Sequence, residues 1–250
     1  MDWLADNLTC VLFTKPQHGA VDALQPWLKA FSSSPMNFQN QPGLSRAEGV
    51  VGDLRVQLIA QPGRLELALM AVEPEVAVLG NALPPPTVPQ AIPKWEDALV
   101  VIEQYARKII EDGVVRIGLV VNLLQRAESA LNATALFNQH TRCELPRDAT
   151  EVAIQFNRTK MLSGRKINRL ARWATGAQQV LQLQVGGAVP SPNSRIAAVF
   201  HVVTWQLDIN TVMTQSSPEL DTAQSGNVLA ALVQEARTII SAGYDGFLSS

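Results

Sequence analysis

Two stretches in which apolar and polar residues alternate, joined by Pro62-Gly63, place the strongest constraint on the fold of this chain. They cover residues 50–61 and 64–72. Alternation with period two is typical of strands with one buried face, and a Pro-Gly dipeptide between two such strands favours a hairpin turn. The sequence therefore predicts an antiparallel sheet.

Other segments have the period of an α-helix. Residues 95–112 are the clearest case, with Leu99, Ile102 and Ala106 on one face and Gly113 at the stop. The same reasoning predicts helices over 21–31, 127–136, 165–175 and 225–242, a polar loop over 36–45, and further strands over 7–14, 114–124, 151–157, 178–185 and 195–211.

Both halves of the chain then give the order strand, helix, strand, strand, helix. This order predicts an α+β protein made of two ferredoxin-like βαββα halves, each a mainly antiparallel sheet with helices on one face, or one fused continuous sheet. Residues 1–126 would form the first half and residues 127–250 the second, with internal duplication as the hypothesis. Five prolines in residues 80–93 predict a stiff extended connector, or alternatively a proline-rich peptide ligand.

The composition indicates a well-buried protein. Hydrophobic residues make up 47% and charged residues 17% of the chain, which argues against disorder. The longest strongly apolar run, residues 196–207, is short of the roughly 20 residues of a membrane span. An acidic start does not fit a signal peptide, and two cysteines are too few for a disulfide scaffold. We therefore expect a cytoplasmic protein without a membrane partner.

Charge is distributed unevenly along the chain. Residues 152–207 contain seven Lys and Arg but no Asp or Glu, whereas the rest has 13 positive and 22 negative residues. In the predicted helix 165–175, three arginines would share one face. The candidate binding residues are Arg158, Lys160, Arg165, Lys166, Arg169, Arg172 and Trp173.

Like charges on one face repel each other, so a negative partner would relieve the repulsion. An acidic protein or a second copy of the chain is one such partner. The phosphates of RNA or DNA are another, with Trp173 stacking on a base. We expect a non-catalytic binding or assembly subunit that uses this basic surface. The alternative is an RNA- or DNA-binding protein, or a ferredoxin-like RNA-processing enzyme.

Two short motifs carry a resemblance. They are RIGL at 116–119 followed by Asn122, and LDINT at 207–211 followed by a polar gap and a closing helix. In this order the chain resembles, over roughly residues 50–245, a sporadically distributed, uncharacterised bacterial protein family of similar length. The resemblance brings no activity. The patchy distribution of the family implies a mobile-element or phage-defence complex.

Residues for catalysis or metal binding are few. Cys10, His18, His140 and Cys143 would give a Cys2His2 zinc site, but their spacing fits no ligand pattern. Cys143 with His140 could act as nucleophile and base, and His18 as a base for RNA cleavage. The simpler interpretation makes Cys10 a core residue, and we expect no catalytic residue, no metal and no cofactor.

Asp208 is unusual because it interrupts an apolar strand. A buried carboxylate without a partner is costly, so we expect an ion pair with Arg116 or Arg195. A metal ligand is the alternative role.

Overall fold

A computed structural model of the chain describes residues 3–15, 22–73, 88–146, 148–184, 193–213 and 218–249, with side chains except at 181–184, 193–195 and 249. In chain order the elements are β1 (Leu4–Thr14), α1 (Leu24–Phe31), β2 (Asn37–Gln41), β3 (Leu44–Val51), β4 (Leu54–Gln61), β5 (Arg64–Ala71), α2 (Trp95–Ile109), β6 (Val114–Ala127), α3 (Ala130–Thr141), β7 (Ala153–Leu162), β8 (Arg165–Gln184), β9 (Asn193–Thr211) and α4 (Thr222–Ser249).

The nine strands form one antiparallel sheet in the order β2-β3-β4-β5-β1-β6-β9-β8-β7. The predicted pair of ferredoxin-like halves is therefore wrong. Strand β1 pairs with β6 from Leu4 opposite Leu124 to Thr14 opposite Val114, which joins the strands of both halves. The proposed boundary at 126/127 falls at the last residues of β6.

The hairpin at Pro62-Gly63 is confirmed, because Gln61 pairs with Arg64 at the end of β4 and β5. The predicted strand 50–61 is broken, however, by a second turn at Gly52-Asp53, so that its first residues belong to β3. The predicted loop 36–45 is a hairpin as well. Its strands β2 and β3 are joined by Pro42-Gly43, the same dipeptide as in the confirmed turn.

The basic helix predicted over 165–175 is wrong, because these residues begin strand β8. Ser163 and Gly164 both have positive φ, 50° and 75°, and form a two-residue turn that pairs Leu162 with Arg165. Turns with two left-handed residues match the twist of antiparallel strands. The segment also fits a helical pattern through Ile167 and Leu170, which is why the sequence was ambiguous.

All four described helices pack on one face of the sheet and enclose the core. The predicted helices 95–112 and 225–242 are confirmed as α2 and as the first part of α4, which continues to Ser249 past a break at Gly243. The core side chains alternate along each strand, as Leu8, Cys10 and Leu12 do in β1. We call the opposite side of the sheet the open face.

The structure describes only residues 88–93 of the proline-rich connector, and residues 80–87 lie outside the described ranges. In the described part, Ile92 pairs with Ala5 through two backbone hydrogen bonds of 2.9 and 2.7 Å. This end of the connector is therefore attached to the sheet beside β1.

Candidate interaction surface

The predicted basic residues lie on opposite faces of the sheet, because side chains alternate between the two faces along a strand. In β7 and β8, Arg158, Lys160 and Arg169 are on the side covered by helices, whereas Lys166 and Arg172 are on the open face. Arg165 follows the turn and has the same parity as Arg169. One shared basic surface does not exist, because a strand alternates its side chains where a helix would gather them.

The basic residues on the covered side are held by α4. Arg169 is 1% exposed, and its Nη1 lies 2.9 Å from Glu235 Oε1. Lys160 Nζ lies 3.0 Å from the other oxygen of the same carboxylate. Arg158 donates hydrogen bonds to the carbonyls of Phe247 and Leu248 at the end of α4. These three cations are therefore used inside the molecule.

Trp173 is also a core residue. Its side chain is 1% exposed and stacks on Trp205, with 5.1 Å between ring centroids. Tyr244 and Phe247 of α4 contact it edge-on. The ring is therefore enclosed between the sheet and α4, where no base could stack on it.

The open face holds a polar cleft of about 320 Å³ across β1, β6, β9 and β8. One row of paired residues on neighbouring strands runs across this cleft. In the register of the sheet, this row consists of Asn7, Asn122, Gln206 and Arg172. Further lining side chains include Asp6, Gln178 and Thr204. Side chains opposite each other on neighbouring strands are about 5 Å apart, so this row is a continuous polar strip.

One side of the cleft is internally satisfied and the other is not. Asn122 donates to Asn7 at 2.7 Å, and Asn7 donates to Asp6 at 2.9 Å. In the described part of the chain, the exposed guanidinium of Arg172 has neither an ion pair nor a hydrogen bond. Gln178 Oε1 is buried and finds no donor among the described residues. The cleft thus offers a ligand the guanidinium donors of Arg172 and the acceptor oxygen of Gln178.

The charges elsewhere on the open face are partly paired. Glu48 accepts hydrogen bonds of 2.6 Å from Arg46 and from Arg55. Burial raises the pKa of the Glu48 carboxyl, but the hydrogen bonds and charges of the two arginines outweigh burial and lower the pKa overall. Arg64 pairs with Glu66 at 2.6 Å. These pairs leave less charge available for a partner at this end.

Basic side chains nevertheless outnumber acidic ones on the open face. Among the described side chains, register and burial place on this face the basic residues Arg46, Arg55, Arg64, Arg116, Arg126, Lys166 and Arg172 and the acidic residues Asp6, Glu48, Glu66 and Asp208. Of the described cations in residues 152–207, only Lys166 and Arg172 therefore lie on this face.

An aromatic ring lies among these cations. The guanidinium carbons of Arg64 and Arg116 lie 5.6 and 5.0 Å from the centre of the Phe13 ring. Such contacts hold the cations at the ring face and leave their outer donors free. Sequence reasoning missed this group, because its members come from β5, β1 and β6 and share no local motif.

Asp208 lies on the open face opposite Val120 and accepts a hydrogen bond of 2.9 Å from Asn210. The described side chains provide no ion pair for it, so the predicted pair with Arg116 is not formed. The side chain of Arg195, the other predicted partner, lies outside the described ones. Partial exposure solvates the carboxylate, which removes the need for a buried counterion.

The described candidates for the zinc site, Cys10, His140 and Cys143, are not grouped as metal ligands. Burial raises the pKa of the Cys10 thiol to about 12, so it stays protonated. His140 contacts Gln125 at 2.6 Å and the Trp3 ring at 4.6 Å, and burial lowers its pKa. His18 lies outside the described residues. Within the described ranges no three His, Cys, Asp or Glu side chains are grouped as a metal site.

Comparisons with known proteins give no match. No protein-family model fits the chain, and neither a curated protein nor a solved structure is similar to it. Of the helices that the structure describes, none combines the length and apolarity needed to cross a membrane.

Proposed function

We propose that this chain is a non-catalytic binding and assembly subunit that holds an acidic segment of a partner protein against the open face. The observation that carries the proposal is the exposed Arg172 guanidinium, which lies without a partner among the described residues beside the amides of the polar cleft. The family that the chain resembles would place such a subunit in a mobile-element or phage-defence complex.

Arg172 is suited to a carboxylate. A guanidinium donates two parallel hydrogen bonds to the two oxygens of a carboxylate, and such charge-assisted bonds are about twice as strong as neutral ones. Gln206 is its neighbour in the cross-strand row, and Asn122 follows. Their amides can donate to the same acidic group or to the backbone of the segment that carries it.

The mixture of charges favours a protein over a regular polyanion. Asp208 and Asp6 lie between or beside the open-face cations and would repel evenly spaced phosphates. An acidic peptide can place its carboxylates opposite Arg172 and Lys166 and put neutral residues elsewhere. The positive excess would also steer an acidic partner to this face, with an on-rate that falls as salt is added.

A labelled Asp- and Glu-rich peptide, followed by fluorescence anisotropy, tests the proposal. The double variant Lys166→Glu, Arg172→Glu should bind it at least about tenfold more weakly, since charged hydrogen bonds contribute about 1.5–3 kcal/mol each. The matched control is Lys94→Glu, Arg237→Glu, which changes the net charge equally on the helix side. Equal loss in the control, or no binding by the wild type, would contradict the proposal.

A second candidate function is supported by Phe13. Its ring between Arg64 and Arg116 is the arrangement on which a nucleic-acid base can stack while phosphates contact the guanidinium groups. An oligothymidylate probe in the same assay separates the candidates. If nucleic acid is the ligand, Phe13→Leu weakens oligonucleotide binding by about tenfold, since stacking contributes about 1–3 kcal/mol per base, and leaves peptide binding unchanged.

A further inference from the structure

The two longest strands extend beyond the rest of the sheet. Strand β7 ends its pairing with β8 at Ala153 opposite Ala174, and β6 ends its pairing with β9 at Ala127 opposite His201. Beyond these points β8 and β9 pair only with each other, from Gln178 opposite Phe200 to Gln184 opposite Asn193. We call residues 178–184 and 193–200 the β-arm. At about 3.3 Å per residue it is roughly 23 Å long.

A ribbon of two strands is a weak structure in water. Isolated two-stranded hairpins are marginally stable at best, and three or more strands with a covered face are needed for independent stability. The exposed apolar side chains of the β-arm add to the problem, since Ile196 is 55% and Val199 46% exposed. In this part of the described chain, both edges of the β-arm are also unpaired.

The β8 edge of the β-arm lacks the usual protection against pairing. Natural edge strands are commonly blocked by charged residues, especially lysine, or by proline. The sequence of residues 176–184 is GAQQVLQLQ, which contains no charge and no proline. The outer strand β7 differs, because it carries Arg158 and Lys160. The free edge of β8 in the β-arm is thus open to another strand, whereas the edge of β7 is charged.

From these observations we infer that the β-arm pairs with the β-arm of a second copy of this chain. Two antiparallel β8 edges related by a twofold axis would join two ribbons into one four-stranded sheet. Four strands exceed the three that a sheet needs for independent stability. An edge of seven residues gives roughly seven new backbone hydrogen bonds.

Charge complementarity favours a second copy over a different protein as the occupant. In a twofold pair each strand faces itself, so any charge would meet a like charge at or near the axis, and residues 176–184 carry none. Along this β8 edge the same absence leaves a charged partner no opposite charge to pair with, and the charge of the β-arm, Arg195, is on β9. The acidic segment proposed above has its cations at Lys166 and Arg172, outside the β-arm, and the two surfaces share only Gln178 at the base of the β-arm.

Light-scattering mass after size exclusion, measured over a wide range of concentration, tests this inference. The wild-type chain should have the mass of two copies. A variant in which residues 180–198 are replaced by Asn-Gly, which joins Gln179 to Val199 through a short hairpin turn, should have the mass of one copy and an unchanged circular dichroism spectrum in the near ultraviolet.

Point variants keep the test valid if the shortened hairpin does not fold. Gln179→Lys and Val180→Lys, both on β8, place like charges at the pairing edge and should lower the dimer fraction at least about tenfold. The matched controls are Gln139→Lys on α3 and Val100→Lys on α2, both exposed, and they should remain dimeric. A wild-type mass of one copy at every concentration, or a dimer that survives loss of the β-arm, overturns the inference.

The double variant Lys166→Glu, Arg172→Glu should stay dimeric, which separates this result from the outcome of the peptide assay.

Discussion

Glu235 reduces the positive charge that the basic segment, residues 152–207, exposes at the surface. It lies 66 residues after Arg169 in the chain, yet it is 6% exposed and receives both Arg169 and Lys160. A carboxylate this far away in sequence leaves no local signal, so the charge count of residues 152–207 overstated the positive charge that reaches the surface. The sequence identified which residues are cationic, but the tertiary fold decides which of them face a partner.

Removing this carboxylate should be costly. In Glu235→Ala, Arg169 stays enclosed among core residues without the carboxylate, and breaking a buried pair typically lowers the free energy of unfolding by about 3–5 kcal/mol. Urea denaturation of the purified protein measures the change.

The control for Glu235 is the double variant Glu235→Leu, Arg169→Met. It removes both charges and fills the space with apolar atoms. Its free energy of unfolding should therefore fall clearly less than that of Glu235→Leu alone or of Arg169→Met alone. If the double variant loses as much as the two single variants together, the two residues do not act as a pair.

At the scale of elements, local turn chemistry was the most informative signal, and periodicity alone was ambiguous. Pro62-Gly63 was recognised because alternating residues flank it, whereas the identical Pro42-Gly43 was missed because β2 is polar except for Phe38. The first part of β8, residues 165–175, was interpreted as a helix because its apolar residues satisfy both periods, whereas the strand predicted over 178–185 lies within β8 as far as Gln184. Ser163-Gly164 was the available clue, because a small residue and glycine between two polar strands favour a hairpin.

Gly164 should be required by this turn. Its φ of 75° disfavours any residue with a Cβ, so Gly164→Ala should lower the free energy of unfolding by about 1 kcal/mol, measured by chemical denaturation.

Gly176, in the strand β8 that follows this turn, is the matched control. It has no positive φ, and an added Cβ there would meet nothing within 4 Å. Gly176→Ala should therefore cost nothing, and an equal loss at both positions would show that the turn geometry is not the cause.

At the scale of the whole molecule, the sequence predicted the α+β class and most helices but not the sheet order. Adjacent segments can be assigned from their own residues, whereas the pairing of β1 with β6, or of β6 with β9, depends on packing between residues about 100 positions apart. The polar cleft has the same origin, because Asn7, Asn122, Gln206 and Arg172 meet only once that order is set. Its function as a binding surface stays a proposal.

A fragment of residues 1–126 should not fold by itself. In the full chain β6 pairs with β9 from Gly118 to Ala127, and α4 packs over β6 on the covered side. The fragment would expose Leu119 and Val121 and leave one edge of a central strand unpaired. Circular dichroism and amide dispersion in a proton-nitrogen spectrum measure its folding, and a cooperative unfolding transition in the fragment would contradict the prediction.

The central place of β1 has a consequence for biosynthesis. This strand leaves the ribosome before its neighbours β5 and β6, and β6 is complete only at Ala127. At typical synthesis rates that interval is roughly 6 to 20 seconds. The helix that packs on the apolar side of β1, with Leu8 and Leu12, is α2, which is complete only at Ile109. Newly made chains should therefore depend on chaperones that bind short hydrophobic segments until α2 and β6 have been translated.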